Sequence, residues 1–163
     1  MTRRRFFAWV GGALGAIAAF RWFFGSTDTP AADGSFEIAR SEAEWRKVLS
    51  SEQFGVLRQH GTDRPWSSPL NKEHGRGIFA CAGCELPLFS SDTKFDSGTG
   101  WPSFWAPIEG AVGTSTDTSF FMQRTEVHCR RCGGHLGHLF DDGPKPTGLR
   151  YCINGISLKF IPA

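Results

Sequence analysis

Glu126-Val127-His128-Cys129-Arg130-Arg131-Cys132 is a short strand-like run ending in a Cys-x-x-Cys turn, and Gly77-Ile78-Phe79-Ala80-Cys81-Ala82-Gly83-Cys84 repeats that grammar earlier in the chain. Two pairs with one spacing point to a four-thiolate zinc site made of Cys81, Cys84, Cys129 and Cys132. Four sulfurs close a tetrahedron and leave no position for water, so such a metal is structural. It clamps two strand ends, which matters in a small β domain with a limited core. The competing readings are a redox dithiol and a pair of disulfides. A redox dithiol needs a helix amino terminus to lower one thiol's pKa, and neither pair precedes a helical pattern.

Outward from these turns the texture is β. After Gly61, runs of four to seven residues alternate with Gly, Pro, Asp and Ser clusters. Gly77–Ala80, Phe120–Gln123, Glu126–His128 and Ser157–Ile161 read as strands. Before Gly61, Ser41-Glu42-Ala43-Glu44 and Ser50-Ser51-Glu52-Gln53 both have capping-box spacing. They predict helices from Glu42 to about Leu49 and from the second box to about His60. Trp45, Val48, Leu49, Phe54, Val56 and Leu57 are the expected packing side chains. The fold class expected is mainly β, with two short helices in front of a β body.

The chain has 163 residues, enough for one domain with a real core. Its formal charge of +2 conceals an asymmetry. Arg3, Arg4, Arg5 and Arg21 lie in the first 25 residues, where no acid occurs, leaving 14 Lys+Arg against 16 Asp+Glu overall. The body is therefore mildly acidic and lacks the electrostatic footprint of a nucleic-acid binder. Paired arginines, then an apolar run from Ala8 to Phe20, then polar residues follow the order of an export signal. The arginines resemble the bacterial twin-arginine signal. The expectation is an export signal and linker over residues 1–34, a catalytic domain over 35–163, and a periplasmic location. Arg21 ends the apolar run short of the ~20 residues that span a bilayer. An ordinary secretory signal and an uncleaved anchor facing the periplasm stay open as alternatives.

The fifth cysteine stands apart, in Arg150-Tyr151-Cys152-Ile153-Asn154. A nearby guanidinium favours thiolate, the reactive form, so Arg150 points to Cys152 as a nucleophile. Asn154, two residues on, is expected on the same strand face, able to donate to a bound oxygen. His135 and His138 upstream are candidate general acids, and His138 is the preferred one. Against this stand a Cys152 that merely packs as a small hydrophobe and histidines that ligate metal. Ser97-Gly98-Thr99-Gly100-Trp101-Pro102-Ser103-Phe104-Trp105 reads as a rigid loop presenting an indole, a face suited to a methyl-sulfur group. Core packing is the plainer role for Trp105.

Taken together, both Cys-x-x-C pairs, Lys94–Phe104, His135-Leu136-Gly137-His138 and Arg150–Asn154 resemble the B-type methionine sulfoxide reductases. The resemblance runs from about residue 38 to 161. Thr62–Ser67 also resembles the family, which more usually has Phe where this chain has Trp66. The resemblance implies two small antiparallel sheets in a β-barrel-like arrangement, with one structural Zn2+ per chain. It implies reduction of methionine-R-sulfoxide, free or in proteins. Cys152 falls on the nucleophile, His135 and His138 on the active-site histidines, Asn154 on the oxygen-side Asn, Arg150 on the preceding arginine and Trp101 on the methyl pocket. Many members carry a resolving cysteine where this chain has Thr99. An external thiol, either a thioredoxin-like protein or a small thiol, is therefore expected to reduce the Cys152 sulfenic acid. The alternatives are a non-catalytic zinc module of related fold and a thiol peroxidase.

Overall fold

The computed structural model describes residues 36–119 and 122–163. The expected export signal and linker lie outside the described residues. No helix among those described is long and apolar enough to cross a membrane.

Among the described residues, two helices precede the β body. Helix α1 spans Glu42–Val48 and α2 spans Ser51–Gln59. Both capping boxes form: Glu44 N–H donates to Ser41 Oγ at 3.4 Å and Gln53 N–H to Ser50 Oγ at 3.1 Å, with each N3 side chain answering back. A cap of this kind is worth about 1 kcal/mol. Trp45, Leu49, Phe54, Val56 and Leu57 are buried as expected, but Val48 is 55% exposed. Helix α1 ends at Val48 and Leu49 is extended, so the turn sends Leu49 inward and leaves Val48 outside. Helix α2 ends on His60 in the left-handed conformation, φ 55°, and packs on strand β7 and the 155–157 turn.

Nine strands follow among the described residues: β1 Gly77–Cys81, β2 Pro87–Ser90, β3 Lys94–Phe95, β4 Ser103–Phe104, β5 Val112–Asp117, β6 Arg124–Cys129, β7 His135–Phe140, β8 Arg150–Ile153 and β9 Leu158–Pro162. They make two antiparallel sheets, one ordered β2-β1-β9 and the other β3-β4-β8-β7-β6-β5. The mainly β expectation with two sheets is met. Of the expected strand at 120–123, residues 120 and 121 lie outside the described residues, and Met122 and Gln123 are not in a strand but connect into β6. Strand β5 was not expected: its Val-Gly-Thr-Ser-Thr-Asp segment is too polar to announce itself.

The sheets meet through aromatic side chains. Phe89 of β2 stacks on Phe104 of β4 at 4.3 Å between centroids, and Phe79 of β1 meets the same ring edge-on at 5.0 Å. Each such ring, fully buried, contributes about 1.5–3 kcal/mol. This core fixes β4 and its partner β8, the strand that carries Cys152.

Candidate active site and metal cluster

Cys81 ends β1 in the small sheet, and Cys129 ends β6 in the large one. Their Cys-x-x-Cys turns converge, so the four sulfurs all lie within 4.8 Å of one another. Cys81 Sγ is 3.8 Å from Cys132 Sγ, and Cys84 Sγ is 3.5 Å from Cys129 Sγ. A tetrahedron with metal–sulfur bonds of about 2.3 Å has edges of about 3.8 Å, so the donor set fits a thiolate-bound ion. The thiols disturb one another strongly. Cys81 and Cys132 are pushed up, first by hydrogen bonding to Cys129 and also by burial, while Cys129 is pushed far down by bonding from Cys132 and Cys81. A cation resolves that conflict by taking all four as thiolates. The cluster could hold a metal ion, which would staple one sheet to the other.

Cys152 occupies a different setting, defined by the ladder of the large sheet. Cys152 pairs with Ser103 of β4 on one side and His138 of β7 on the other; His138 pairs with Glu126 of β6, and Glu126 with Ser115 of β5. Directly opposed residues share a sheet face. One row thus sets a thiol, an imidazole and a carboxylate side by side. Gly137 sits where β7 meets β8, and a Cβ there would lie 2.0 Å from the Cys152 carbonyl oxygen, so only glycine allows this approach.

His135 and His138 are three residues apart, a spacing that puts residues on opposite faces of a regular strand. A bulge brings them together. The register slips between Val127 and His128, whose partners are Gly137 and His135, so Leu136 is skipped. The two rings then meet edge-on at 5.4 Å. His138 Nε2 bonds Asp117 Oδ2 at 2.7 Å, and Arg124 holds the same oxygen. His135 is buried, bonds Glu126 Oε1 through Nδ1 at 2.7 Å, and keeps an Nε2 with no partner among the described residues.

Arg150 lies two residues before Cys152 on the same face. Its guanidinium forks onto Asp142 at 2.7 and 2.9 Å and stacks over Phe140. The expected pull of Arg150 on the thiol exists, together with that of Thr99, but burial outweighs both and Cys152 is pushed up. Burial also pushes His138 down despite Asp117. The resting pair is therefore a thiol beside a neutral imidazole.

The Ser97–Phe104 loop closes the site. Thr99 Oγ1 lies 3.9 Å from Cys152 Sγ and joins a hydroxyl chain through Ser97 to Ser103, at 2.8 and 2.7 Å. Gly100, with φ 94°, packs under Pro65 and Trp66, and accepts from the Trp66 N–H at 2.7 Å. Trp101 is fixed by its indole N–H, which donates to Asp63 Oδ1 at 2.6 Å. Asn154 lies one residue beyond β8, which ends at Ile153. Its Nδ2 donates to the Leu136 carbonyl at 2.9 Å, and its Oδ1 accepts from the Asp63 N–H at 3.1 Å. Asn154 thus ties β7 to the segment that holds Trp101.

Residues 49–162 match the SelR domain. The chain belongs to the SelR domain family. A relative from Agrobacterium fabrum, named peptide methionine sulfoxide reductase MsrB, is 53% identical over 127 residues, covering 77% of this chain and 94% of its own. One of the same name from Methanosarcina barkeri is 58% identical over 124 residues, covering 76% and 87%. A third, from Leptospira interrogans, is 52% identical over 127 residues, covering 77% and 97%.

Within this SelR domain several site residues gave no sequence signal as such. Asp63 bonds Trp101, Asn154 and the Ile156 N–H. Asp117, Glu126 and Asp142 each brace a cation or imidazole across the fold. Only Asp63 lay in a segment already marked by resemblance.

Proposed function

We propose that the chain is an oxidoreductase that reduces the R epimer of methionine S-oxide, free or in proteins, to methionine at the expense of a thiol. The observation that carries this is the ladder position of Cys152, opposite His138 and beside the Thr99–Trp101 loop. It is supported by relatives named peptide methionine sulfoxide reductase over nearly their whole length. In this reading the Cys152 sulfur attacks the sulfoxide sulfur. His138, neutral at rest, takes the thiol proton and hands it to the sulfoxide oxygen. His135 lends its unpartnered Nε2 to the same oxygen. Oxygen and proton end on Cys152 as a sulfenic acid, an electron pair passes to the substrate sulfur, and methionine leaves. Arg150 steadies the thiolate as it forms, Trp101 receives the methyl-sulfur end, and Asn154 keeps the oxygen side of the pocket in register.

With Thr99 beside Cys152, a thioredoxin-like protein or a small thiol restores the enzyme. One external thiol forms a mixed disulfide with Cys152 and releases water; a second attacks the external sulfur of that bond, so that Cys152 leaves as a thiol and the two external sulfurs end as a disulfide. The four-sulfur cluster is read as holding one structural Zn2+, since a closed thiolate tetrahedron is the setting zinc favours. The test is an assay on separated R and S epimers with metal quantified. R-selective reduction, lost in Cys152→Ser while bound zinc persists, is the expected result; activity retained by Cys152→Ser defeats the proposal.

The first 34 residues support a twin-arginine export reading, in which the domain folds and loads its metal in the cytoplasm and then works in the periplasm. Replacing Arg3 and Arg4 together by Lys blocks export on this reading. Unchanged export of that variant overturns it.

A further inference from the structure

A third cluster lies beside the histidine pair. Glu126 Oε1 accepts from His135 Nδ1 at 2.7 Å and also lies 3.0 Å from His60 Nδ1, while Ser115 donates to Glu126 Oε2 at 2.6 Å. The carboxylate is buried, as is His135, but the His60 side chain is 66% exposed. His60 reaches it because α2 ends on that residue in a left-handed turn and packs against β7. The rings of His60 and His135 lie 5.1 Å apart. One oxygen thus serves an internal and an external imidazole.

We infer that Glu126 and His60 are positioning residues for the reductase: Glu126 fixes the His135 ring so that its Nε2 meets the sulfoxide oxygen, and His60, which shares the same carboxylate oxygen, weakens that hold when it is protonated. This rests on the reading of His135 as a partner of the substrate oxygen. A carboxylate on one imidazole nitrogen fixes the orientation of the ring and leaves the other nitrogen to meet the substrate. His135 presents such a nitrogen, Nε2, buried and without a partner among the described residues. A buried unpaired polar atom needs an explanation, and a substrate oxygen supplies one.

The other charged groups around the cluster are Arg58 on α2, Asp117 on β5, Arg124 and His128 on β6, and His138 on β7. Glu126 is held low by His135, His60 and Ser115 against the cost of its burial, and His60 is raised chiefly by its bond to Glu126. The carboxylate therefore stays charged, and the exposed His60 ring is the member of the cluster that exchanges protons with solvent.

The experiment compares pH profiles of kcat/KM for the zinc-loaded enzyme, Glu126→Gln and His60→Asn, with methionine-R-sulfoxide and a small dithiol. Asn tolerates the left-handed backbone at position 60. Glu126→Gln is expected to lose at least about tenfold at neutral pH, because the His135 ring is then no longer held by a carboxylate. His60→Asn is expected to match the parent in alkaline solution and to keep about twofold more activity in mild acid, because no second cation then draws on the carboxylate. That loss together with that mild-acid gain supports the inference. A profile that superimposes on the parent in either variant, or a mild-acid loss in His60→Asn, overturns it. His60 is a surface residue, so its arm stands even if Glu126→Gln folds poorly. An inactive parent enzyme instead defeats the reductase reading itself.

Discussion

Five cysteines experience two chemistries in one small domain. At the sheet junction, Cys81, Cys84, Cys129 and Cys132 crowd within 4.8 Å, and each thiol's main electrostatic neighbours are the other three. On β8, Cys152 meets a hydroxyl at 3.9 Å, a guanidinium two residues away and an imidazole across the ladder. The first arrangement can close a coordination shell and leaves nothing for a substrate. The second leaves one sulfur outside any such shell, beside a hydroxyl, a guanidinium and an imidazole. On the proposed mechanism, thiol reactivity follows from neighbours and not from the residue type: burial makes Cys152 a poorer thiolate, and His138 compensates by carrying its proton.

The contrast is broken most severely by exchanging the sulfurs for oxygen. Cys152→Ser should lower turnover by roughly 10⁴-fold or more, with metal content and melting temperature unchanged, because a hydroxyl here has no base strong enough to activate it. Kinetics with the R epimer beside metal analysis checks this. Cys129→Ser should do the reverse, costing about 4 kcal/mol or more in a denaturant titration, since it removes a ligand that joins the two sheets. Chelation of the parent protein should produce the same loss. A mutant that loses metal yet melts like the parent would show that the aromatic junction suffices.

Smaller effects dissect the reactive side. His138→Gln should reduce kcat by about 10²- to 10⁴-fold, and Asp117→Asn by less, with KM little changed in either, because the imidazole acts on the moving proton and not on binding. Thr99→Cys should convert the regeneration route: a sulfur at this site is close enough to Cys152 for a disulfide to form after one turnover, readable by mass analysis of the peptides. The smallest effect is on stability against pH. His60 is raised in the folded protein by Glu126, so its contribution is fully present below the unfolded value near 6.5 and is lost as pH rises through the folded value. Melting curves of the parent and His60→Asn should therefore converge at alkaline pH and separate, with the parent more stable, in mild acid.

What was legible beforehand follows the range of the interactions. The cysteine pairs and both capping boxes are local patterns, and their residues are where the spacing put them. The histidine pair was legible as chemistry but not as geometry, because its three-residue spacing faces one way only through the bulge at Leu136. Asn154 was assigned to a strand that stops one residue earlier. Asp117, Glu126 and Asp142 carried no signal of a site role, and Asp63 only that of the Thr62–Ser67 resemblance, since an acidic residue in a polar segment reads as solvated surface until a distant strand or loop brings its partner. Strand β5 was missed for a related reason: its Thr and Ser side chains are largely exposed, and pairing with β6, not burial, holds it extended.

The division of sulfurs itself is tested most directly by mass analysis of the metal-loaded protein after a single turnover with methionine-R-sulfoxide and no reductant. The account predicts one oxygen on Cys152, trapped as a sulfenic acid adduct, with the other four cysteines still bound to metal. A disulfide between Cys152 and Cys81, Cys84, Cys129 or Cys132 would contradict it.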